Sequence, residues 1–160
     1  MFHTNGKDHS APLEKIHRLA QWEERLRENR LISEALAESE KRYRRLFESA
    51  KDGILILDAE TGMVVDVNPF LLQLLDFEYE SVFGQYLWEL GVFKDIAASK
   101  EAFKALQCNE YIRYEDLPLK TLGGKAISVE FISNVYLVDN RRVIQCNIRD
   151  ITARKRDKNL

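Results

Sequence analysis

The feature that most constrains this chain is an abrupt change of hydrophobic period at Lys51-Asp52-Gly53. Ahead of it, from Leu13 to Ala50, there is neither glycine nor proline, and Leu, Ala, Glu, Arg and Lys dominate, residues that lose little freedom in a helix. Behind it, Ile54-Leu55-Ile56-Leu57, the turn Asp58 to Gly62, and Met63-Val64-Val65-Asp66-Val67 read as a strand, a turn and a second strand. The junction therefore separates a helical arm from a compact domain.

The domain continues with Asn68-Pro69, which reads as a helix start: Asn68 is the N-cap and Pro69 takes the first helical position, where its missing N–H costs nothing. Leu71, Leu72, Leu74 and Leu75 supply that helix's buried face. A short helical piece from Glu78 to Phe83 ends at Gly84, Tyr86 to Leu90 makes one more turn, and Asp95 is expected to cap a longer helix through Leu106. Strand signals then return over Tyr111 to Leu119, Ala126 to Leu137 and Arg142 to Arg149, joined by turns at Gly123-Gly124 and Asp139-Asn140. Two strands, several short helices and three strands predict an α+β fold: a five-stranded antiparallel sheet with short helices on one face, preceded by a long N-terminal amphipathic helix. The expected organisation is a disordered, polar N-terminus over 1–12, a coiled-coil-like helix over 13–50, the compact domain over 51–152, and the start of a C-terminal linker helix over 153–160.

At 160 residues and 45% hydrophobic content the chain can bury one good core. A net charge of -2 gives no global attraction for nucleic acid or anionic lipid. The basic group Lys41, Arg42, Arg44, Arg45, with Arg154, Lys155 and Arg156, is the exception, and Glu38, Glu40 and Glu48 on the same helix argue against a nucleic-acid role. No apolar run approaches the roughly 20 residues that span a bilayer, and nothing resembles a secretory signal, so the expected location is cytoplasmic. Cys108 and Cys146 read as reduced thiols.

Along the arm, every seventh residue from Leu19 gives Leu26, Ser33, Glu40 and Phe47, and the companion seam from Trp22 gives Asn29, Leu36 and Tyr43. Leu19, Trp22, Leu26, Leu36, Tyr43 and Phe47 are the expected homodimer helix residues, with Asn29 setting register; a helix folded onto its own domain satisfies the same stripe. On the strands, residues two apart share a face. Val129, Phe131 and Ser133 then face inward beside Ile144, Cys146 and Ile148, with Phe103, Leu106, Leu71, Leu75 and Trp88 opposite. This wall fits a pocket for a small hydrophobic ligand, and it fits a solidly packed core equally well. The other sheet face carries Glu130, Gln145, Asn147 and Arg149 with Ile132 and Val143, a surface suited to a helix of the same chain or of a partner.

Several separate stretches, in order, resemble the PAS domain family. Glu40-Lys41-Arg42-Tyr43-Arg44-Arg45-Leu46-Phe47-Glu48 followed by Asp52-Gly53-Ile54 is similar to the lead-in helix and first strand of bacterial PAS sensors. Asp66-Val67-Asn68-Pro69-Phe70, Phe77 through Gly84, Gly124-Lys125 into Val129-Glu130, and Asp150-Ile151-Thr152 follow the family's later elements, although the family often has Gly where this chain has Asp76. The resemblance covers about Ser39 to Lys155. It implies a sensor domain of a signal-transduction protein such as a sensor histidine kinase of a two-component system or a cyclic-dinucleotide enzyme, passing a signal to an output domain or partner. It also makes Asp150-Ile151-Thr152 a signal joint, where Asp150 and Thr152 cap a new helix and Asp150 lies four residues before Arg154. The sequence ends soon after that joint, so the expectation is either a fragment or a module that acts by binding a partner.

Relatives implied by that resemblance bind haem, flavin, small metabolites or nothing. His3, His9 and His17 all precede the domain, which argues against histidine-ligated haem, and the Asn-Cys-Arg-Phe-Leu run of the flavin-adduct branch does not occur. The cofactor is left unassigned. There is no phosphate-cradling glycine loop, nucleophile elbow, zinc-ligand pair or histidine near either cysteine, so no catalytic or metal residue is assigned and a non-enzymatic role is expected. A purely structural dimerisation module with a packed core is the alternative function.

Overall fold

The computed structural model describes residues 10–158. The expected disorder of the N-terminus falls mostly on residues outside that range, as do His3 and His9. The chain divides into two compact units, Met1–Arg45 and Leu46–Leu160. The described part of the first is helical throughout and belongs to helix α1, Ser10–Ser49, which begins three residues before the expected Leu13. Without a glycine or proline beyond Pro12, nothing in its sequence stops propagation until Ala50.

The second unit carries strands β1 (Gly53–Asp58) and β2 (Val64–Val67), then helices α2 (Pro69–Leu75) and α3 (Tyr79–Val82) and a single 3-10 turn, Leu87–Glu89. Helices α4 (Lys94–Ala97) and α5 (Lys100–Cys108), strands β3 (Tyr111–Lys120), β4 (Ala126–Val138) and β5 (Arg141–Asp150), and helix α6 (Thr152–Lys158) complete it. The five strands form one antiparallel sheet in the order β2-β1-β5-β4-β3. The first and last strands of the domain are therefore neighbours at its centre, with Gly53 opposite Ile148 and Leu55 opposite Cys146.

Local chemistry explains most element ends. Asn68 is extended and its side chain accepts from the Leu71 amide at 3.2 Å, so it caps α2 ahead of Pro69. Asp76 ends α2 in the left-handed region at φ 62, a conformation that glycine and short polar side chains such as aspartate tolerate best. Asp139 and Asn140 both have positive φ, the geometry of a two-residue hairpin turn between β4 and β5. The single helix expected from Asp95 to Leu106 is corrected to two. Ser99 is extended between them and accepts from the Ala102 amide at 3.2 Å, so Ser99 caps α5, while Asp95 lies inside α4.

Candidate functional site

Alternation along β4 and β5 turns Val129, Phe131, Ser133, Ile144, Cys146 and Ile148 to one face, and all six are buried. Leu71, Leu75, Phe103 and Leu106 are buried in the same apolar core, and Trp88 is packed against it half-buried. Trp88 is anchored by stacking on Tyr86, with ring centroids 4.9 Å apart, and by a tilted contact with Phe103 at 5.7 Å. The expected wall thus assembles, and its members pack together.

A small cavity of about 10 Å³, the room of one water molecule, lies towards the β1 side of this core. It is lined by Leu55, Val67, Leu72, Phe77, Val82, Leu90 and Phe93 together with Leu71 and Leu75. Of the residues expected to line a pocket, only Leu71 and Leu75 border it. Phe93 was not anticipated from the sequence. It sits in a loop ahead of α4, yet it is 1% exposed, borders the cavity, and tilts against Phe131 with centroids 5.9 Å apart.

Only three polar side chains are buried among the described residues: Asn68, Thr121 and Ser133. Asn68 is fully committed. Its Oδ1 accepts from Ile54 N at 2.9 Å and from Leu71 N, and its Nδ2 donates to the carbonyls of Phe47 at 3.1 Å and Asp52 at 2.9 Å. One amide thereby ties the last turn of α1, the start of β1 and the start of α2. Thr121 Oγ1 accepts from Lys125 N at 3.1 Å and closes the β3–β4 turn. Ser133 Oγ has no protein hydrogen bond of normal geometry; beside it is the Cys146 thiol, a weak partner. Burial pushes the Cys146 thiol up to about 12, so it stays neutral, whereas Cys108 is exposed at the end of α5.

At the far end of the sheet the Asp150-Ile151-Thr152 joint is built from side chains. Thr152 Oγ1 donates to Asp150 Oδ1 at 2.6 Å, Thr152 N donates to the same oxygen at 3.0 Å, and Ser128 N donates to Thr152 Oγ1 at 3.0 Å. Ile151 N donates to the Ser128 carbonyl, so the start of α6 is sewn to the start of β4. Thr152 takes one oxygen of the Asp150 carboxylate, and Lys155 of α6 reaches Asp116 on β3 at 2.6 Å. Arg149 bridges from the end of β5 to Asp52 at 3.2 Å. Arg142 donates to the Gln107 carbonyl at the end of α5 and pairs with Glu60 at 3.4 Å.

Of the six residues expected on a dimer helix, Leu19, Trp22, Leu26, Leu36 and Tyr43 are exposed in the single chain, and Phe47 is 3% exposed. Phe47 belongs to the globular unit, where its side chain is buried and its carbonyl accepts from Asn68. The outer sheet face carries half-buried Ile132, Val143, Gln145, Asn147 and Glu130, with Glu130 bound by Arg113 at 3.0 Å. No helix among the described residues is long and apolar enough to cross a membrane, and no group of three metal-ligating side chains occurs among them.

An antiparallel sheet that holds short helices on one face, with the first and last strands of the domain as central neighbours, defines a small α+β domain. Residues 41–109 match the family model described as a PAS domain. Similar solved structures include the PAS domain of an HTR-like protein from Haloarcula marismortui, at 22% identity and TM-score 0.64, covering 76% of this chain and 99% of that one. A domain of the sensory box sensor histidine kinase/response regulator from Geobacter sulfurreducens is 26% identical with TM-score 0.58, covering 72% and 96%. The PAS domain of BvgS from Bordetella pertussis is 20% identical with TM-score 0.57, covering 76% and 93%. No curated protein matches the chain.

Proposed function

We propose that this chain is a non-enzymatic, cytoplasmic sensory and dimerising PAS module, which relays a change in its core through its terminal helices to an output domain or partner. The observation that carries this reading is the way both arms are fastened to adjacent central strands. Asn68 binds the last turn of α1 to β1, Asp150 and Thr152 bind α6 to the end of β5, and β1 and β5 are paired along their length. A small shear between those two strands reaches both helices at once. Dimerisation is supported by the exposed Leu19, Trp22, Leu26 and Leu36, since hiding such side chains is worth roughly 1.5–3 kcal/mol each. The outer sheet face, with Ile132 and Val143, offers a second contact. The sensor histidine kinase from Geobacter sulfurreducens that contains a similar domain supports a signalling context.

The packed interior favours a second reading, a structural dimerisation module with no ligand, because the cavity holds only about 10 Å³. Native mass spectrometry and light scattering on the full chain test both. A dimer that releases a small molecule on denaturation supports the sensor, and an empty dimer supports the structural module. A monomer mass unchanged across micromolar concentrations overturns dimerisation in either.

A further inference from the structure

Two open clefts lie on the surface of the domain near the turn between β3 and β4, and they carry opposite charge. The first, beside α2 and α3, is lined by Asp76, Glu78 and Glu80 and by no basic residue. The second, of about 450 Å³, lies between the loop ahead of α4 and the turn itself. Leu90 to Val92 and Lys94 form one wall, residues 120–124 form the other, and no acidic side chain lines it. Asp76 reaches the turn at Gly123, where its Oδ2 lies 2.8 Å from the position of an added Cβ, but it belongs to the first cleft and does not line the second.

Each wall of the second cleft supplies one cation, and among the described residues neither Lys94 nor Lys120 has an ion-pair partner. A lone unpaired lysine on a surface means little. Here two share a concave space that offers no counter-charge, and the protein walls focus their field into it. Both walls are built in advance. Thr121 N donates to the Lys125 carbonyl at 2.8 Å, Gly124 N to the Thr121 carbonyl at 2.9 Å and Lys125 N to Thr121 Oγ1 at 3.1 Å, while Leu122 N fastens the turn to the Leu75 carbonyl at 3.0 Å. The other wall is anchored by Val92 and Phe93, both buried. Lys120 folds back over the turn, with its Cε 3.9 Å from where a Cβ would stand on Gly124, and at Gly91 an added Cβ would meet nothing within 4 Å.

We propose that this cleft is a surface site for an organic dianion, a phosphate monoester or a dicarboxylate, held between Lys94 and Lys120. The double charge follows from one unpaired cation on each wall. The organic body follows from Leu90, Val92 and the exposed Leu122, which line the same space, and the volume suits a small molecule. A lysine ammonium acts as a point charge and serves either oxyanion. The site lies outside the core, and its occupancy is independent of whether the core takes a ligand.

Three of the lining residues are glycines, so their amide signals report on the cleft directly. The labelled full chain is titrated at fixed ionic strength with phenyl phosphate, with phthalate and with the neutral benzyl alcohol. At least one dianion should shift Gly91, Gly123 and Gly124 saturably, at the roughly millimolar affinity that two exposed ion pairs give, and leave Gly53 and Gly62 still. The stronger of the two identifies the oxyanion. Lys94→Gln and Lys120→Gln should each weaken it about fivefold, whereas Lys104→Gln, the same charge change on α5, should alter it less than about twofold. The proposal is overturned if neither dianion gives saturable shifts, if benzyl alcohol shifts the three glycines as strongly, or if Lys104→Gln weakens binding as much as the cleft variants do.

Discussion

The Arg149 guanidinium grips the Asp52 carboxylate from two sides, with Nη2 3.2 Å from Oδ2 and Nε 3.4 Å from Oδ1. This clamp lies just beyond the Gly53–Ile148 pair and joins the place where the chain enters the sheet to the place where it leaves. Both side chains are around half exposed, at 58% and 41%, so solvent screens the pair. Arg149→Gln is expected to lower folding stability only slightly, and molar salt should erase most of that difference. Urea denaturation at low and high salt measures it; a larger, salt-insensitive loss would mean that the clamp is part of the core.

Asn68 contrasts with that clamp because it is fully buried and makes four hydrogen bonds, two as acceptor and two as donor. Asn68→Ala leaves the Ile54 and Leu71 amides and two carbonyls without their partner, and a loss of about 3 kcal/mol is expected. Asn68→Asp is the sharper variant. It keeps the acceptor for both amides but points a second oxygen at the Phe47 and Asp52 carbonyls, so it should be no better than alanine. An aspartate variant with wild-type stability by urea denaturation would show that the N-cap bond alone matters.

What could be read from the sequence follows the range of the interactions involved. The succession of elements along the chain, the Asn68-Pro69 start and the inward faces of β4 and β5 depend on neighbours in the chain, and periodicity carries them. The pairing of β1 with β5 joins residues about ninety positions apart and was not legible. The break between α4 and α5 was missed because Asp95 and Ser99 are both good caps, and only packing selects Ser99. Phe47 fitted a heptad, but its carbonyl is claimed by Asn68, a partner 21 positions away. Phe93 had no periodic context at all, since a loop residue's burial is set by the space the sheet leaves above it. The second half of Asn68's role, as a donor to two carbonyls, was equally hidden: a cap motif announces its acceptor and says nothing of the amide nitrogen.

Gly62 and Gly84 share a left-handed backbone, φ 79 and 77, but differ in what surrounds them. An added Cβ at Gly62 would sit 2.6 Å from the Trp88 ring, whereas at Gly84 nothing lies within 4 Å. Gly84→Ala should cost only the backbone strain, about 1 kcal/mol, and Gly62→Ala about 3 kcal/mol once overpacking is added. Thermal unfolding gives the two losses. Tryptophan emission supplies the second readout: it should shift in Gly62→Ala, where the ring must move off its Tyr86 stack, and hold in Gly84→Ala. Equal losses with unchanged emission would place Trp88 in a looser environment than its stacking implies.

The buried thiol gives the domain a defined alkaline limit. Burial raises Cys146 from an ordinary value of 9.0 to about 12, so the folded state holds its proton where the unfolded chain releases it. A raised folded value means that its contribution is fully present below pH 9.0 and is lost as pH climbs towards about 12. The loss should run at up to about 1.4 kcal/mol per pH unit in that window. Tyr136 is also raised by burial, but it is common to the wild type and Cys146→Ala. The difference between the two proteins in urea midpoint, measured from pH 8 to pH 11, therefore isolates the thiol. The wild type should lose ground to Cys146→Ala only above pH 9, and iodoacetamide at pH 8 should modify the exposed Cys108 while sparing Cys146 in the folded chain. A pH-independent difference, or prompt alkylation of Cys146, would mean that water reaches the inner face of β5 and that the core around Ser133 is already open.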